Sequence, residues 1–131
     1  MQPEFNYSPY LSIAAGSGLL AVVLGAFGAH ALRAQLDPRA MGIYETAVQY
    51  HFAHSLALLA VGLLFRTAAA PRLLGFAGLA FSTGLLLFSG SLYLLAVTGI
   101  RWLGAITPLG GLAFIAGWSL LLAWTLGPGR R

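Results

Sequence analysis

Four apolar runs, Tyr10–Leu32, Tyr44–Phe65, Leu73–Val97 and Leu109–Leu126, fill most of the chain. A helix rises about 1.5 Å per residue and a bilayer's hydrocarbon core is about 30 Å thick, so about 20 apolar residues cross it. Each run is near that length. The remaining residues offer no alternative. Of 131 residues 59% are hydrophobic and 8% charged, where a soluble domain carries about 25% charged residues. Too few polar groups exist to coat a water-facing surface. The chain reads as an integral membrane protein whose first partner is the lipid bilayer.

Sequence punctuation agrees with hydropathy. A proline precedes or opens each run: Pro9, Pro38, Pro71 and Pro108. Proline suits the first turn of a helix, where its missing N–H would be unpaired anyway. Ser8, Asp37 and Thr107 stand just before three of these prolines as expected caps. Thr98-Gly99 and Gly127-Pro128 read as stops. The linkers are short, so successive helices are expected to be antiparallel neighbours. The predicted fold is an all-α, four-helix transmembrane up-down bundle, one domain over residues 1–131, with both termini on one side. On that side, side A, lie Arg66, Arg72, Arg130 and Arg131; on side B lie Arg33, Arg39 and Arg101. The positive-inside rule then places the termini in the cytoplasm, by one charge. Tyr7, Tyr10 and Trp124 fall near side A, and Tyr44, Tyr93 and Trp102 near side B, as paired aromatic belts.

Net charge is +4, but the arginines are scattered and form no stripe that suits nucleic acid. The absence of cysteine excludes disulfides, thiolate metal sites and a cysteine nucleophile. Ala29-His30-Ala31 has the form of a signal-peptidase site. The preceding segment lacks Lys and Arg and carries Glu4, and its apolar run is too long, so cleavage is not expected. Ala14, Gly18, Ala21, Gly25 and Ala29 approximate one face of the first helix, and Ala113 and Gly117 are four apart in the last. Small residues at this spacing let helix backbones approach closely in lipid. Gly16-Ser17-Gly18 has no strand before it and no lysine partner, so it is not a nucleotide motif.

Function is expected where the sequence conflicts with lipid. A charged group at a helix centre costs about 2.5–3.5 kcal/mol on insertion scales. Glu45, Gln49, His51 and His54 nevertheless lie in the second run, His30 ends the first, Ser89, Ser91 and Tyr93 lie late in the third, and Thr107 opens the fourth. All belong to the side B half, which predicts a polar pocket opening there. On a helical wheel Glu45, Gln49 and Phe52 share one face, and Tyr44, His51 and Ser55 another, with His54 beside it. Four readings compete: interhelical hydrogen bonding, a proton or small-solute pathway, a metal held by His51-x-x-His54, and haem. No third strong metal ligand is fixed by the sequence. His30 and His54 differ in depth by roughly 10 Å, which is poor for two axial ligands. No metal or other cofactor is therefore assigned. Ser55 lies four residues from His51, but no acid completes a triad, and Glu4, Asp37 and Glu45 form no carboxylate pair.

Several segments resemble one family. Leu24-Gly25-Ala26-Phe27-Gly28-Ala29-His30-Ala31-Leu32, Tyr44-Glu45-Thr46-Ala47-Val48-Gln49-Tyr50 and His54-Ser55-Leu56-Ala57-Leu58 carry the likeness. Phe88-Ser89-Gly90-Ser91-Leu92-Tyr93-Leu94, Ile106-Thr107-Pro108-Leu109-Gly110-Gly111 and Gly117-Trp118 continue it in order. Together they resemble the small bacterial membrane proteins of domain-of-unknown-function family 423 (UPF-0382). Ala31 stands where the family often has Gly. The resemblance implies a four-span protein of the bacterial inner membrane, with no settled activity, cofactor or catalytic residue to carry over. The expectation is a non-enzymatic accessory or structural component, a homo-oligomer or a subunit of a larger membrane complex. The alternative is a proton-linked transporter or channel using Glu45, His51 and His54.

Overall fold

The computed structural model describes residues 7–68 and 72–127. Four helical spans cross in alternating directions: Pro9–Leu32, Pro38–Thr67, Arg72–Thr98 and Arg101–Thr125. The first three contain the apolar runs expected of them and the fourth contains its run but for the last residue, Leu126; the described residues include no strand. Pro71, Arg130 and Arg131, and the Pro128 of the last stop signal, lie outside the described residues. The second span begins at Pro38 rather than Tyr44 because Asp37 caps it. The Asp37 carboxylate accepts from Arg39 N at 2.8 Å and Ala40 N at 2.9 Å, which satisfies two of the free N–H groups of a helix start.

The other two expected caps act differently. Ser8 makes no capping bond, and its hydroxyl is buried without a hydrogen-bond partner among the described residues. Thr107 lies inside the last helix and bonds sideways to Ser91 Oγ at 2.7 Å. The reason is local. A 3-10 turn, Arg101–Ala105, delivers the chain to Thr107 already coiled, with Ile106 at φ −79 and ψ −33. The helix has no extended residue at its start from which a side chain could fold back.

Two spans widen into π-helical turns. Gly28–Leu32 ends the first span, closed by Arg33 N donating to Gly28 O at 3.1 Å. Leu85–Gly90 interrupts the third between Arg72–Gly84 and Ser91–Thr98. Each π turn adds a residue to the ring of the helix and so rotates everything after it.

The second and third spans form the middle of the bundle and the first and fourth its flanks. Within their apolar windows 39% and 33% of residues are buried, against 17% in each flanking span. The first span packs along the second and the fourth along the third. Glycine sets both seams. A methyl group at Gly28 would strike the Tyr44 ring, at Gly84 the Phe114 ring, and at Gly117 the Phe81 ring. At Gly110 it would strike the backbone of Phe88. Large side chains of one helix thus sit on bare backbone of the next, the close packing that holds helices together where lipid removes the hydrophobic drive. The small-residue face of the first span divides. Ala14 and Ala21 are buried and Gly25 meets Val48, while Gly18 has nothing within 4 Å and Ala29 is exposed.

The interior has two apolar clusters. One, toward side A, gathers Leu58, Val61, Leu74, Phe81 and Phe114 with smaller neighbours. The other, toward side B, gathers Leu32, Met41, Tyr44 and Ala96. The buried polar residues His51, His54, Ser55, Ser89 and Ser91 lie between them, beside small apolar residues such as Ala21 and Ala47.

Candidate functional site

His51 is the hub of the polar layer. It is 6% exposed, and both ring nitrogens are engaged. The direction of each bond follows from a carbonyl's inability to donate. Ser55 Oγ donates to the His51 main-chain oxygen at 2.7 Å. Having used its hydrogen, it accepts from Ser17 Oγ at 2.6 Å. Ser17 in turn accepts Nε2–H of His51 at 3.0 Å. That leaves Nδ1 to accept the Tyr93 hydroxyl hydrogen, also at 3.0 Å. The result is a one-way chain, Tyr93 to His51 to Ser17 to Ser55, which joins the third, second and first spans and ends on a carbonyl. For a neutral imidazole this network places the hydrogen on Nε2.

His54 is oriented by the same logic with the opposite tautomer. Its Nδ1 donates to the Tyr50 carbonyl at 2.8 Å, one turn earlier. The indole of Trp118 can only donate, so His54 Nε2 accepts from it at 3.2 Å. Phe114 stacks on the ring with centroids 3.6 Å apart and planes 12° from parallel, and Tyr50 lies nearly parallel at 5.6 Å. His54 thereby ties the second span to the fourth. The two histidines diverge, His51 toward the first and third spans and His54 toward the fourth. All four of their ring nitrogens are engaged by other groups, so His51-x-x-His54 presents no pair of free lone pairs to a metal. His30 is exposed at the end of the first span, while both nitrogens of His54 are occupied, so the pair does not fit haem axial ligation.

The other candidates fall into separate groups. Ser91 donates to Phe88 O at 3.0 Å and accepts from Thr107, linking the third span to the fourth beside the π turn. Ser89, 1% exposed, is buried in that turn with no hydrogen-bond partner for its hydroxyl among the described residues. Glu45 and Gln49 face outward. Glu45 pairs with Arg33 at 3.3 Å, with 49% and 68% of the two side chains exposed. They line a shallow cavity of about 180 Å3 on the flank of the first two spans, beside Gly25, Gly28 and Val48. The nine residues therefore do not converge. Five of them (His51, Tyr93, His54, Ser91 and Thr107) tie helices together, Ser89 is buried alone, and Glu45, Gln49 and His30 are outside. At side B the structure does have a cleft, of about 670 Å3, but its walls include Gln35, Asp37, Arg39, Thr98 and Arg101 and none of the nine.

Three participants were not singled out from the sequence: Ser17, Phe114 and Trp118. Ser17 had a signal, because it is a hydroxyl in the middle of an apolar run. A buried hydroxyl there needs a partner. Trp118 was marked only by the family likeness at Gly117-Trp118, since an indole in a span serves packing equally well.

The comparisons fit this description. The model of a family described as a protein of unknown function (DUF423) matches residues 24–111. The UPF0382 membrane protein of Staphylococcus haemolyticus is 46% identical over 107 residues, covering 82% of this chain and 86% of its own. UPF0382 membrane protein YwdK of Bacillus subtilis is 44% identical over 113 residues, covering 86% and 92%. UPF0382 inner membrane protein YgdD of Escherichia coli is 38% identical over 112 residues, covering 86% and 85%. No solved structure matches. The matched stretch starts at the seam of the first two spans and contains His51, His54, both π turns and Gly110. With four apolar spans and relatives alike along most of its length, the chain belongs to the DUF423 (UPF0382) family of multi-pass membrane proteins, for which no enzymatic activity is named.

Proposed function

We propose that the protein is a non-enzymatic accessory or structural component of the bacterial inner membrane, working as a homo-oligomer or as a subunit of a larger assembly. The observation that carries this reading is where the polar groups lie. Inside the bundle all four nitrogens of His51 and His54 are engaged, three of them by neighbouring helices and one by the Tyr50 carbonyl of the same helix, which suits a fixed scaffold. Outside, Glu45, Arg33 and Gln49 stand on the flank of the first two spans. Glu45 is seven residues beyond Pro38, about 10 Å along the helix axis. At the hydrocarbon edge an exposed ion pair and amide on an otherwise apolar flank find few partners in lipid, and a protein neighbour would cover them. The arginine balance of four to three supports cytoplasmic termini.

Gentle extraction followed by size analysis tests the reading. Co-migrating copies or partners are expected, and Glu45→Ala with Gln49→Ala should weaken the association. A monodisperse lone protomer overturns it. Proton-linked transport through Glu45, His51 and His54 receives less support, because Glu45 is about a third of a turn from His51 and faces out of the bundle, away from the buried chain at His51. Flux in proteoliposomes that is lost in Glu45→Gln and His54→Ala would favour transport over the scaffold.

A further inference from the structure

The cleft at side B has no part in that reading. It opens between the start of the second span and the end of the third, with a volume of about 670 Å3. Arg39 and Arg101 both line it, the first from the opening turn of the second span and the second from the 3-10 turn. Among the described residues neither guanidinium has a carboxylate within salt-bridge distance. Asp37 also lines the cleft, but its Oδ1 is engaged by two backbone N–H groups. Two cations and one anion leave a single positive charge in excess. Gln35 and Thr98 add neutral polar groups at the rim, and Ile43, Leu95 and Ala96 form an apolar wall.

Depth identifies the occupant. The lining runs from Gln35 to Ile43 at one end of the second span and from Leu95 to Gly104 around the end of the third. Both stretches lie at the boundary between hydrocarbon and headgroups. Trp102, 65% exposed beside Arg101, marks the same level. A cationic rim above an apolar wall at headgroup depth has the shape of an amphiphile. Guanidinium groups bind phosphate oxygens through paired hydrogen bonds. We propose that this cleft binds the phosphodiester headgroup of an anionic membrane lipid between Arg39 and Arg101. The charge excess of one matches a singly charged phosphodiester.

Phosphatidylglycerol titrated onto the full chain in mild detergent, with bound lipid counted by native mass spectrometry, tests this. Arg39→Gln with Arg101→Gln should lower occupancy roughly tenfold, equal to about 1.4 kcal/mol. Arg72→Gln, at the opposite end of the bundle, should leave it unchanged. Equal occupancy in the parent and the double variant overturns the proposal. Displacement of the lipid by millimolar inorganic phosphate also overturns it, by showing that the site serves a soluble anion. Should the glutamine pair fail to fold, Arg39→Lys with Arg101→Lys keeps the charge and removes the paired hydrogen bonding. Reduced occupancy then supports the proposal, and unchanged occupancy overturns the assignment to the two guanidinium forks.

Discussion

A neutral histidine has one hydrogen to give and one lone pair to fill, and hydrocarbon supplies neither partner. In this bundle the two buried histidines meet that requirement in opposite tautomers, because the fixed acceptors differ. His51 is set by the carbonyl at the end of the Ser55 chain, His54 by the Tyr50 carbonyl and the Trp118 indole. The chain arrangement makes a specific prediction. Interhelical hydrogen bonds in membranes contribute about 0.6–2 kcal/mol each. Tyr93→Phe should destabilise by that amount and Ser17→Ala, which removes the bonds to both His51 and Ser55, by up to about twice it; because the Tyr93 and Ser17 bonds share the His51 ring, the double variant should lose less than the sum. Unfolding midpoints in detergent or sodium dodecyl sulfate measure this; strict additivity would show that the two bonds are independent. At His54 packing outweighs hydrogen bonding. His54→Ala opens a void against Phe114 and should cost about 2–5 kcal/mol. His54→Phe keeps the stack and should cost less, leaving the Trp118 N–H without its acceptor.

At the scale of the helix, glycine positions that look alike in sequence are not equivalent. Gly16 and Gly110 both lie in apolar spans. A methyl group at Gly16 meets nothing within 4 Å, whereas at Gly110 it meets the Phe88 backbone, which cannot rotate away as a side chain can. Gly16→Ala should therefore be neutral or stabilising by up to about 1 kcal/mol through helix propensity. Gly110→Ala should destabilise by at least about 1–3 kcal/mol, the usual range for overpacking. Thermal unfolding of the two variants separates them; similar midpoints would mean that the seam between the third and fourth spans yields. The π turn at Leu85–Gly90 belongs to the same seam. It places Phe88 against Gly110 and lets Ser91 reach Thr107. Hydropathy cannot register it, because an extra residue in one turn leaves the apolar run uninterrupted.

For the molecule as a whole, the alternation of four spans is open to direct test, since the chain contains no cysteine. Cysteines introduced singly at Tyr7 and Gly127 should react with a membrane-impermeant reagent from one side, and those at Gln35 and Ile100 from the other. Labelling of Tyr7 and Gly127 from opposite sides would refute an even number of crossings. The outer surface of the bundle is apolar, with Leu19, Val22, Phe76, Leu86, Leu112 and Ile115 all exposed. In lipid this is the expected exterior, and the exposed Arg33–Glu45 pair interrupts it at the place where the proposed partner would dock.

Amino-acid order alone fixed the number of crossings, their approximate ends and the cap at Asp37, because each depends on neighbours along the chain: run length, a proline, a carboxylate within reach of two N–H groups. Order also marked His51, His54, Ser91 and Thr107 as unusual, since lipid penalises any such group whatever surrounds it. Which polar residues would meet was decided by tertiary packing. Glu45 and His51 lie six residues apart on one helix, yet one reaches the flank and the other the centre, according to which sides of the second span its neighbours cover. Ser17, Phe114 and Trp118 took part only through those neighbours. Two π turns rotated the helix faces by an amount that no regular period predicts, and the tautomers followed from acceptors contributed by other turns and other spans.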